Sequence, residues 1–544
     1  MSPPASVHLP ADALVDWLQH AWAHPAAGDG APAIGARLTQ LIRRAILDRV
    51  VPPAHRLPST RTLAQALRIA RNTVVPVYEQ LRAEGFVVAG QGSGTYVCRI
   101  APDTLPVAAK AARPAEAPHP AEPLAFSRRG RRYHSHPLHE FWTRQPFCPG
   151  QFELALFPYR LWNRLQQRQL RRADPIQLEQ GEPGGAPELR QAIAEHVRAT
   201  RGVRCAPDQV IITDGTGESI DLVARLMCDP GDAVLLEDPG YWAATQVLSD
   251  HGLRLQPGPV DAQGLPVPTL RRGQRAPRLV YLTPSNQFPT GGVMPLARRL
   301  EWLQFASRHD TLLLEDDYDS EYRYEGAPFP SLQGQDAAGR VIYLGTFSKT
   351  VYPGIRVAFL VVPQGLQRVF ADASADFYRD GDQIVQQVLA DFMREGHYAA
   401  HVRTLRREYA LRREAMLRAL AEALPREFAT QRLVVVSGAR GVHLTLALPD
   451  DVDDRAVARD AIAHGVTAIP LSVYAMRVGW RGLVLSFAAT PTDRIAALVD
   501  ALAPVLRNAL AAHRAIDARA PMHAVTVEHT TIPTNSVPAT GRPS

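Results

Sequence analysis

A lysine and an aspartate each follow a short apolar run in the middle of the chain. Lys349 ends residues 341–349, VIYLGTFSK, and Asp316 comes soon after the run TLLL at residues 311–314. A lysine amine can hold an aldehyde as an imine, and an aspartate can keep a pyridine nitrogen protonated so that the ring accepts electrons. Together the two residues predict a site for pyridoxal 5'-phosphate (PLP), with Lys349 as the residue that forms the imine.

Other polar residues of the same region match the remaining parts of that cofactor. The run DGTG at residues 214–217 precedes a predicted helix, and backbone amides at a helix N-terminus suit a phosphate group. Ser348 and Arg356 add a hydroxyl and a planar set of donors for the same group. A tyrosine can stack on the ring, and an amide or a phenol can hydrogen-bond its phenolic oxygen. The predicted cofactor-binding residues are Asp316, Tyr318, Asn286, Tyr241, Gly215, Thr216, Gly217, Ser348 and Arg356.

Six short apolar runs alternate with helix-length segments through the middle of the chain. They occupy residues 210–213, 233–237, 278–283, 311–315, 341–345 and 357–362. Runs that are apolar on both faces and separated by helices indicate an α/β domain with a buried, largely parallel sheet and helices on both sides. Five of the six runs end in polar or glycine-rich clusters, and sites in such sheets form at the carboxyl ends of the strands. We therefore expect these clusters to meet in one pocket.

The acidic run at residues 315–319 admits a second interpretation, as a ligand set for a divalent metal ion. The predicted partners of this run suit a phosphorylated aldehyde better than an octahedral ion, so no metal site is predicted. His134, His136 and His139 are interpreted as ordinary loop residues, because no supporting carboxylate or cysteine pattern accompanies them.

Positive charge is concentrated near the N-terminus. Residues 34–100 contain ten arginines and three acidic residues, a net charge of +7, whereas the whole chain carries +6. A compact basic module is typical of nucleic-acid binders, because neutralising phosphates supplies most of their non-specific affinity. A solvated arginine-rich surface would have the same charge.

The same segment has the pattern of three helices and a hairpin. Apolar residues at helical spacing predict helices over residues 37–49, 63–67 and 71–84, the last ending at Gly85. Residues 86–97 predict two short strands around a glycine-rich turn. This is the pattern of a winged helix-turn-helix, in which the third helix enters the major groove of double-stranded DNA and the wing touches the backbone. The predicted DNA-binding residues are Arg61, Arg71, Asn72, Thr73, Gly92, Ser93 and Gly94.

This segment resembles the GntR family of bacterial regulators. The resemblance rests on LPSTR at residues 57–61, RNTV at 71–74, YEQL at 78–81 and GSGT at 92–95. It implies a DNA operator as the partner of the N-terminal module.

Two positions depart from the GntR pattern. Ala70 stands where the family usually has a serine cap, and Pro76 falls inside the third helix, where it removes an amide donor at a cost of roughly 3 kcal/mol. A helix that starts late avoids most of this strain. We therefore expect Asn72 to cap the helix, with Pro76 in its first turn and a half.

Three further segments resemble the MocR subfamily of GntR regulators, in which a winged helix is fused to a domain of the fold type I aminotransferase class. They are residues 281–291 (YLTPSNQFPTG), 315–321 (EDDYDSE) and 345–356 (GTFSKTVYPGIR). The resemblance covers residues 34 to about 507. It implies a PLP-binding domain with a mostly parallel large domain and a smaller α+β domain, and a head-to-tail homodimer with the cofactor near the interface. It also implies that Lys349 forms the internal aldimine, Asp316 pairs with the pyridine nitrogen, Tyr318 contacts the phenolic oxygen and Arg356 binds the phosphate.

Departures from the aminotransferase pattern bear on the expected chemistry. Aminotransferases of this class usually clamp the substrate carboxylate with an arginine near the end of the small domain, and Val484 stands at that place. Without the clamp, an amino acid loses a bidentate contact and the orientation that it gives. Arg481 is a weaker substitute, and Gln180 replaces a tyrosine that often reaches the neighbouring subunit's phosphate.

Three functions are compatible with these observations. The first is a transcriptional regulator whose PLP site senses an amine, an amino acid or PLP itself. The second is a working aminotransferase with a DNA-binding module. The third is a winged-helix repressor with a vestigial domain that binds no cofactor. The missing clamp favours the first.

Composition limits the domain organisation. The chain has 544 residues, 46% of them hydrophobic, with no apolar run that would span a bilayer and no N-terminal leader pattern. Its four cysteines are scattered, which fits a reducing cytoplasm. The predicted domains are an N-terminal extension (1–33), the winged helix-turn-helix (34–100), an Ala/Pro-rich linker (101–125), the aminotransferase-like domain (126–512) and a disordered tail (513–544).

Overall fold

A computed structural model of the chain describes residues 13–23, 34–48, 50–90, 94–98, 125–132, 136–173, 181–324, 330–436, 440–477 and 479–511. The chain divides into two compact units, one up to Ala125 and the other from Phe126. The predicted linker, apart from Ala125, and the predicted tail lie outside the described residues. The domain boundaries therefore remain predictions.

The N-terminal unit is a helical bundle with a hairpin. Its elements are α1 (Ala13–Ala23), α2 (Ile34–Leu47), α3 (Thr60–Leu67), α4 (Arg71–Ala83), β1 (Val87–Gly90) and β2 (Gly94–Val97). Strands β1 and β2 pair antiparallel. Helices α2 to α4 and the hairpin confirm the predicted winged helix-turn-helix. Helix α1 lies in the predicted N-terminal extension and was not expected; its Leu14 and Leu18 are buried in the same core as Leu38 and Leu63.

Local signals fix the start of α3 and the end of α4. The Ser59 side chain caps α3 by accepting a hydrogen bond from the Thr62 amide at 3.0 Å. After α4, Gly85 has φ +78°, and the Phe86 amide donates to the Leu81 carbonyl at 2.9 Å. A left-handed glycine after the last turn lets the chain leave the helix into β1.

The expected late start of α4 is wrong. The helix begins at Arg71, after Ala70, which makes no side-chain capping hydrogen bond, and Asn72 is already inside the helix. Pro76 is therefore an interior residue of α4 and is exposed. Burial explains the difference, because the fully buried Val74 and its neighbours on the inner face of α4 pack against α2 in one core. Burying these apolar side chains outweighs the lost backbone hydrogen bond.

The second unit is built on a seven-stranded sheet. Its strands are β3 (Val210–Thr213), β4 (Ala233–Asp238), β5 (Arg254–Pro259), β6 (Leu279–Leu282), β7 (Leu312–Asp317), β8 (Val341–Thr346) and β9 (Ala358–Val361). Their order is β3-β9-β8-β7-β6-β4-β5. Strands β4 to β8 run parallel, and β9 is antiparallel to both of its neighbours. This confirms the largely parallel sheet. The edge strand β5 was missed because only one of its six residues is buried and it contains two prolines.

Two short helices come first, α5 (Arg128–Arg132) and α6 (Leu138–Phe141), and α6 contacts the smaller domain described next. Helices cover both faces of the seven-stranded sheet, as predicted. They are α7 (Tyr159–Arg172), α8 (Pro187–Arg201), α9 (Thr216–Met227), α10 (Trp242–Asp250), α11 (Leu296–His309), α12 (Gln367–Tyr378) and α13 (Gln383–Arg394). Alternate residues of a strand enter different cores: Ile212 and Tyr343 pack in one, and Ile211 and Ile342 pack in the other.

A smaller antiparallel sheet follows, in the order β10-β11-β13-β12. The elements of this part are α14 (His397–Ala423), α15 (Pro425–Ala429), β10 (Val434–Val435), β11 (His443–Ala447), α16 (Asp454–Ala463), β12 (Ile469–Pro470), β13 (Gly482–Ser486) and α17 (Thr492–Leu510). This is the expected smaller α+β domain. No helix in the described part of the chain is long and apolar enough to cross a membrane.

Candidate functional site

Lys349 lies just beyond the carboxyl end of β8. Its amine is 5.2 Å from the centre of the Phe152 ring, and its carbonyl accepts a hydrogen bond from the Tyr322 hydroxyl at 2.7 Å. Burial lowers the pKa of the Lys349 amine, while the carboxylates of Asp319 and Asp316 act in the opposite direction. A buried amine with a lowered pKa is a better nucleophile towards an aldehyde than a surface lysine.

Asp316 lies at the carboxyl end of β7, the strand that pairs with β8. One of its oxygens, Oδ2, accepts a hydrogen bond from the Tyr281 hydroxyl, and the other, Oδ1, is buried with no partner among the described residues. Burial raises the pKa of Asp316 to about 7, against the hydrogen bond from Tyr281. A buried carboxylate oxygen without a partner suits a protonated ring nitrogen, which would supply the missing donor and charge.

Three further predicted residues lie beside this pair. The Asn286 amide donates to the Tyr318 hydroxyl at 3.0 Å and to Asp319 at 2.8 Å, and its own carbonyl oxygen Oδ1 is buried without a partner among the described residues. Burial raises the pKa of Tyr241 to about 12; the charge of Asp316 acts in the same direction, and the charge of Arg356 acts against it. The rings of Tyr241 and Tyr318 both pack edge-to-face on Phe288, at centroid distances of 6.1 and 5.9 Å.

A cradle suited to an anion forms at the start of α9. Gly215 precedes this helix with φ +110°, and Thr216 and Gly217 are its first two residues. A Cβ atom on Gly215 would lie 3.4 Å from the Arg356 guanidinium, so the glycine keeps space beside that group. Arg356 follows the short 3-10 turn Pro353–Ile355 with φ +55°. Helix amides and an arginine beside an open space are the donors that bind a phosphate.

Ser348, the remaining predicted phosphate residue, is half-buried one position before Lys349. Its amide donates to the Thr346 hydroxyl at 3.2 Å. This places its side chain at the same end of the sheet as the lysine. The role of Ser348 stays a prediction, as do the roles of the other site residues.

The small domain closes the site from the other side. Pro289, in the loop after β6, presents its carbonyl to His443 Nε2 at 3.1 Å and to the Thr445 hydroxyl at 2.5 Å. Val484 pairs with Thr445 across β13 and β11 and is fully buried. Arg481 donates to the Trp480 carbonyl at 3.3 Å.

Sequence reasoning missed a second buried network on the same strand ends. Asp317 accepts hydrogen bonds from Arg201 Nε at 2.7 Å and from the Tyr343 hydroxyl at 2.6 Å, and Arg201 also donates to Ser285 at 2.6 Å. Arg201 comes from the end of α8, far from Asp317 along the chain, so no local signal joins them. Tyr281 could have been found from the sequence. It is a tyrosine in an otherwise aliphatic run, on the strand next to the one that carries Asp316.

The acidic run at residues 315–319, for which no metal site is predicted, has other partners in the structure. Glu315 accepts from the Leu332 and Gln333 amides at 2.8 Å each. Within the described ranges, no group of three or more histidine, cysteine, aspartate or glutamate side chains is arranged to hold a metal ion.

The predicted DNA-contacting side chains lie at the N-terminal ends of α3 and α4. Arg61, Arg71 and Asn72 are exposed, Thr73 is half-buried, and Arg71 Nε donates to the Thr60 hydroxyl at 3.4 Å. In the wing, Gly94 lies against the Arg56 side chain, since a Cβ there would be 2.9 Å from Arg56 Nε. Gly92 and Ser93 lie outside the described residues, as do His134 and Gln180.

Comparison with known families matches both units. Residues 35–97 match the model of bacterial regulatory proteins of the gntR family, and residues 162–502 match aminotransferase class I and II. A probable rhizopine catabolism regulatory protein, MocR, from Rhizobium meliloti is 38% identical over 80% of this chain and 86% of its own length. The pyridoxine biosynthesis regulator PdxR from Corynebacterium glutamicum is 30% identical over 85% of this chain and 94% of its own length.

Solved structures match the second unit. Kynurenine aminotransferase from Pyrococcus horikoshii has a TM-score of 0.65 at 26% identity, covering 70% of this chain and 97% of its own. The α-aminoadipate aminotransferase LysN from Thermus thermophilus, solved with N-(5'-phosphopyridoxyl)-L-leucine, has a TM-score of 0.64 at 29% identity, covering 71% and 98%.

Fold and site thus define a GntR winged-helix regulator joined to a fold type I aminotransferase-like domain. Within that class, the chain belongs to the MocR-type GntR regulators. The cofactor of the second unit is pyridoxal 5'-phosphate. The residues present fit it, because Asp316 Oδ1 lacks a donor among the described residues and Gly215 leaves room beside Arg356.

Proposed function

We propose that the state of the PLP site in this regulator controls how its winged helix binds an operator. The observation that carries the proposal is the pair of half-buried Lys349 and buried Asp316, in which Asp316 Oδ1 has no partner among the described residues. Bound there, PLP would supply an aldehyde with which a primary amine reacts reversibly. The small domain carries valine at the position of the substrate clamp, which favours sensing over turnover.

Each site residue has a proposed role. Lys349 holds the cofactor covalently, and Asp316 accepts the proton of its ring nitrogen. Tyr241 stacks on the ring. Asn286 and Tyr318 hydrogen-bond the phenolic oxygen. The phosphate is held by Gly215, Thr216, Gly217, Ser348 and Arg356.

The proposed effector is an amine, an amino acid or PLP itself, and the proposed assembly is a head-to-tail homodimer. An effector that binds two conformations of the dimer with different affinity shifts their populations. Couplings of this kind are typically about 1 to 3 kcal/mol, which changes operator affinity by roughly 5- to 150-fold. The MocR, PdxR and TauR relatives are all regulators, which supports a regulatory output.

The sequence makes the test of Lys349 direct. The chain contains two lysines, Lys110 and Lys349. Borohydride reduction of the PLP-loaded full chain, followed by peptide mass mapping, should place the cofactor on the Lys349 peptide. Lys349→Ala should lose both the label and the near-visible absorbance, and Lys110→Arg is the matched control that keeps both. Labelling that stays in Lys349→Ala would contradict the assignment.

Regulation is tested by operator binding. Affinity for the DNA upstream of the gene is measured for the wild type, Lys349→Ala and Lys110→Arg, with and without PLP and amines. We expect ligands to change the affinity of the wild type and Lys110→Arg, and not that of Lys349→Ala. Unchanged wild-type affinity with every ligand would exclude allosteric sensing.

The rival function is a working aminotransferase, favoured by the likeness to aminotransferases such as aromatic-amino-acid aminotransferase 1 from Thermococcus litoralis. It predicts sustained keto-acid formation from an amino donor. A single stoichiometric conversion, or none, supports the sensor.

A further inference from the structure

Phe288 is the centre of an aromatic wall beside the cofactor site. Its ring makes edge-to-face contacts with Tyr241, Tyr318, His443 and Tyr474, at centroid distances of 6.1, 5.9, 5.7 and 5.1 Å. These five residues are called the aromatic wall below. Tyr241 and Tyr318 belong to the predicted cofactor site, whereas His443 and Tyr474 come from the small domain. The wall therefore joins the cofactor to the small domain.

The wall reaches the predicted cofactor site through Tyr318, whose hydroxyl accepts a hydrogen bond from Asn286 at 3.0 Å and whose ring packs on Phe288. Desolvation lowers the pKa of the buried His443 imidazole to about 4, and the charge of Lys349 acts in the same direction. Phe152, whose ring is 5.2 Å from the Lys349 amine, adds another apolar surface. The Lys349 amine therefore has an aromatic ring beside it in this half-buried position.

His443 presents a hydrogen-bond acceptor at this wall. Its Nε2 contacts the Pro289 carbonyl at 3.1 Å, and a carbonyl oxygen only accepts, so Nε2 carries the proton. The ring is neutral near pH 7. Its Nδ1 is then a lone-pair acceptor. Such an atom attracts an ammonium or hydroxyl donor and repels a carboxylate.

The sheet behind the wall carries no positive charge. Strands β10 to β13 contain no lysine or arginine. Val484 and Thr445 are opposite each other in the ladder and share the face that bears His443, because alternate residues of a strand lie on one face. The nearest arginine before β11 is Arg440, which donates to the Ser285 carbonyl at 3.3 Å.

We propose that the effector is a primary amine with a flat, apolar body and no carboxylate on the carbon that bears the amine. This rests on the proposed function. A carboxylate brought against the wall would lose its water, face the His443 acceptor and gain no cation from the four strands. An aromatic or other flat body instead buries its surface against the rings.

The exchange is balanced without a further reactant. With PLP held on Lys349, its aldehyde carbon would exchange the C=N bond to the lysine nitrogen for a C=N bond to the effector nitrogen. The two protons of the incoming amine would pass to the lysine nitrogen. No oxidation or hydrolysis occurs, so release of the effector restores the starting state.

Tyramine and L-tyrosine form the first test, because they share the ring and the amine and differ in the carboxylate. Each is titrated into the PLP-loaded full chain, and the change in near-visible absorbance gives the apparent affinity. We expect tyramine to bind at least ~10-fold more tightly, since an unpaired buried carboxylate costs several kcal/mol. Equal affinity, tighter tyrosine binding or no response to tyramine would each overturn the proposal.

Val484→Arg tests the wall from the protein side. The added guanidinium lies on the face of Thr445 and should improve tyrosine binding relative to tyramine by at least ~10-fold. Val484→Leu is the matched control, which adds volume without charge and should keep the preference for tyramine. An unchanged preference in a folded Val484→Arg protein counts against the proposal. If that variant does not fold, the comparison of tyramine with tyrosine in the wild-type protein still tests the proposal.

The two levels of proposal fail in different ways. If borohydride reduction of the wild type leaves no cofactor on the Lys349 peptide, the proposed function itself is wrong. A correctly labelled protein that prefers tyrosine leaves the PLP site intact and defeats only the effector class, with Arg440 as the candidate carboxylate partner.

Discussion

The Tyr281 hydroxyl donates a hydrogen bond to Asp316 Oδ2, while Oδ1 of the same carboxylate is buried without a partner among the described residues. One oxygen is therefore held in place and the other is left for a donor. This arrangement orients Asp316 before any cofactor binds, and burial raises its pKa to about 7, so much of the group is protonated until a positive partner arrives.

Asp316→Asn should weaken PLP binding by roughly 10- to 100-fold, because the charge-assisted hydrogen bond to a protonated ring nitrogen is worth about 1.5 to 3 kcal/mol. The measurement is a titration of the cofactor-free protein with PLP, followed by absorbance. Tyr281→Phe is the control, since it keeps the carboxylate and removes only its positioning hydrogen bond. It should cost less than Asp316→Asn, and equal losses would show that orientation rather than charge matters.

Gly215→Ala should weaken PLP binding at least ~10-fold, because its φ of +110° strains any side chain by about 1 to 3 kcal/mol and the new Cβ lies 3.4 Å from the Arg356 guanidinium. Pyridoxal, which lacks the phosphate, should lose much less. Gly231→Ala is the matched control, because Gly231 also has a positive φ, +94°, nothing lies within 4 Å of a Cβ there, and it has no proposed role in the site. A comparable loss for Gly231→Ala would point to general backbone strain instead of the anion cradle.

The cofactor-free protein should become less stable as pH rises from about 4 to 7. Asp316 has a folded-state pKa of about 7, against an ordinary value of 3.8, so the folded state binds more protons than the unfolded state in this window. The linkage slope is then negative, at most ~1.4 kcal/mol per pH unit for one group. Glu218, Glu237 and Glu321, whose pKa burial also raises to about 7, act in the same direction. His196 and His443, whose pKa burial lowers from 6.5 to about 4, act in the opposite direction between these pH values, and Lys349 does so at alkaline pH.

Chemical denaturation at several pH values checks this sign. Asp316→Asn should remove the Asp316 share of the decline, while the three glutamates keep theirs. PLP should reduce the decline as well, since its ring proton compensates the Asp316 charge. A wild-type slope between pH 5 and 7 that is no more negative than that of Asp316→Asn would contradict the raised pKa of Asp316.

Arg71→Ala should reduce the slope of log K for operator binding against log salt by about 1, as expected for the loss of one phosphate contact. Arg71 is exposed at the start of α4. Arg44→Ala is the control, because Arg44 is an exposed arginine on α2 that pairs with Asp48. A fluorescence binding series over a range of salt concentrations gives both slopes, and an unchanged slope for Arg71→Ala would remove this residue from the DNA surface.

Local patterns in the sequence determined the position of the main site residues and the winged helix. Lys349 and Asp316 follow apolar strands, and residues at the carboxyl ends of adjacent parallel strands meet whatever the rest of the chain does. Helix periodicity and the Gly85 stop defined the winged helix in the same way. These features depend on a few neighbouring residues, so the amino-acid sequence is enough to predict them.

The tertiary structure decided what long-range packing controls. The hydrogen bond of Tyr281 to Asp316, the Arg201–Asp317 ion pair and the contact of His443 with Pro289 each join residues far apart in the chain. The start of α4 at Arg71, against the preference of Pro76, came from burial of its apolar face on α2. Such choices depend on which surfaces meet after folding, and the order of residues along one segment does not contain that information.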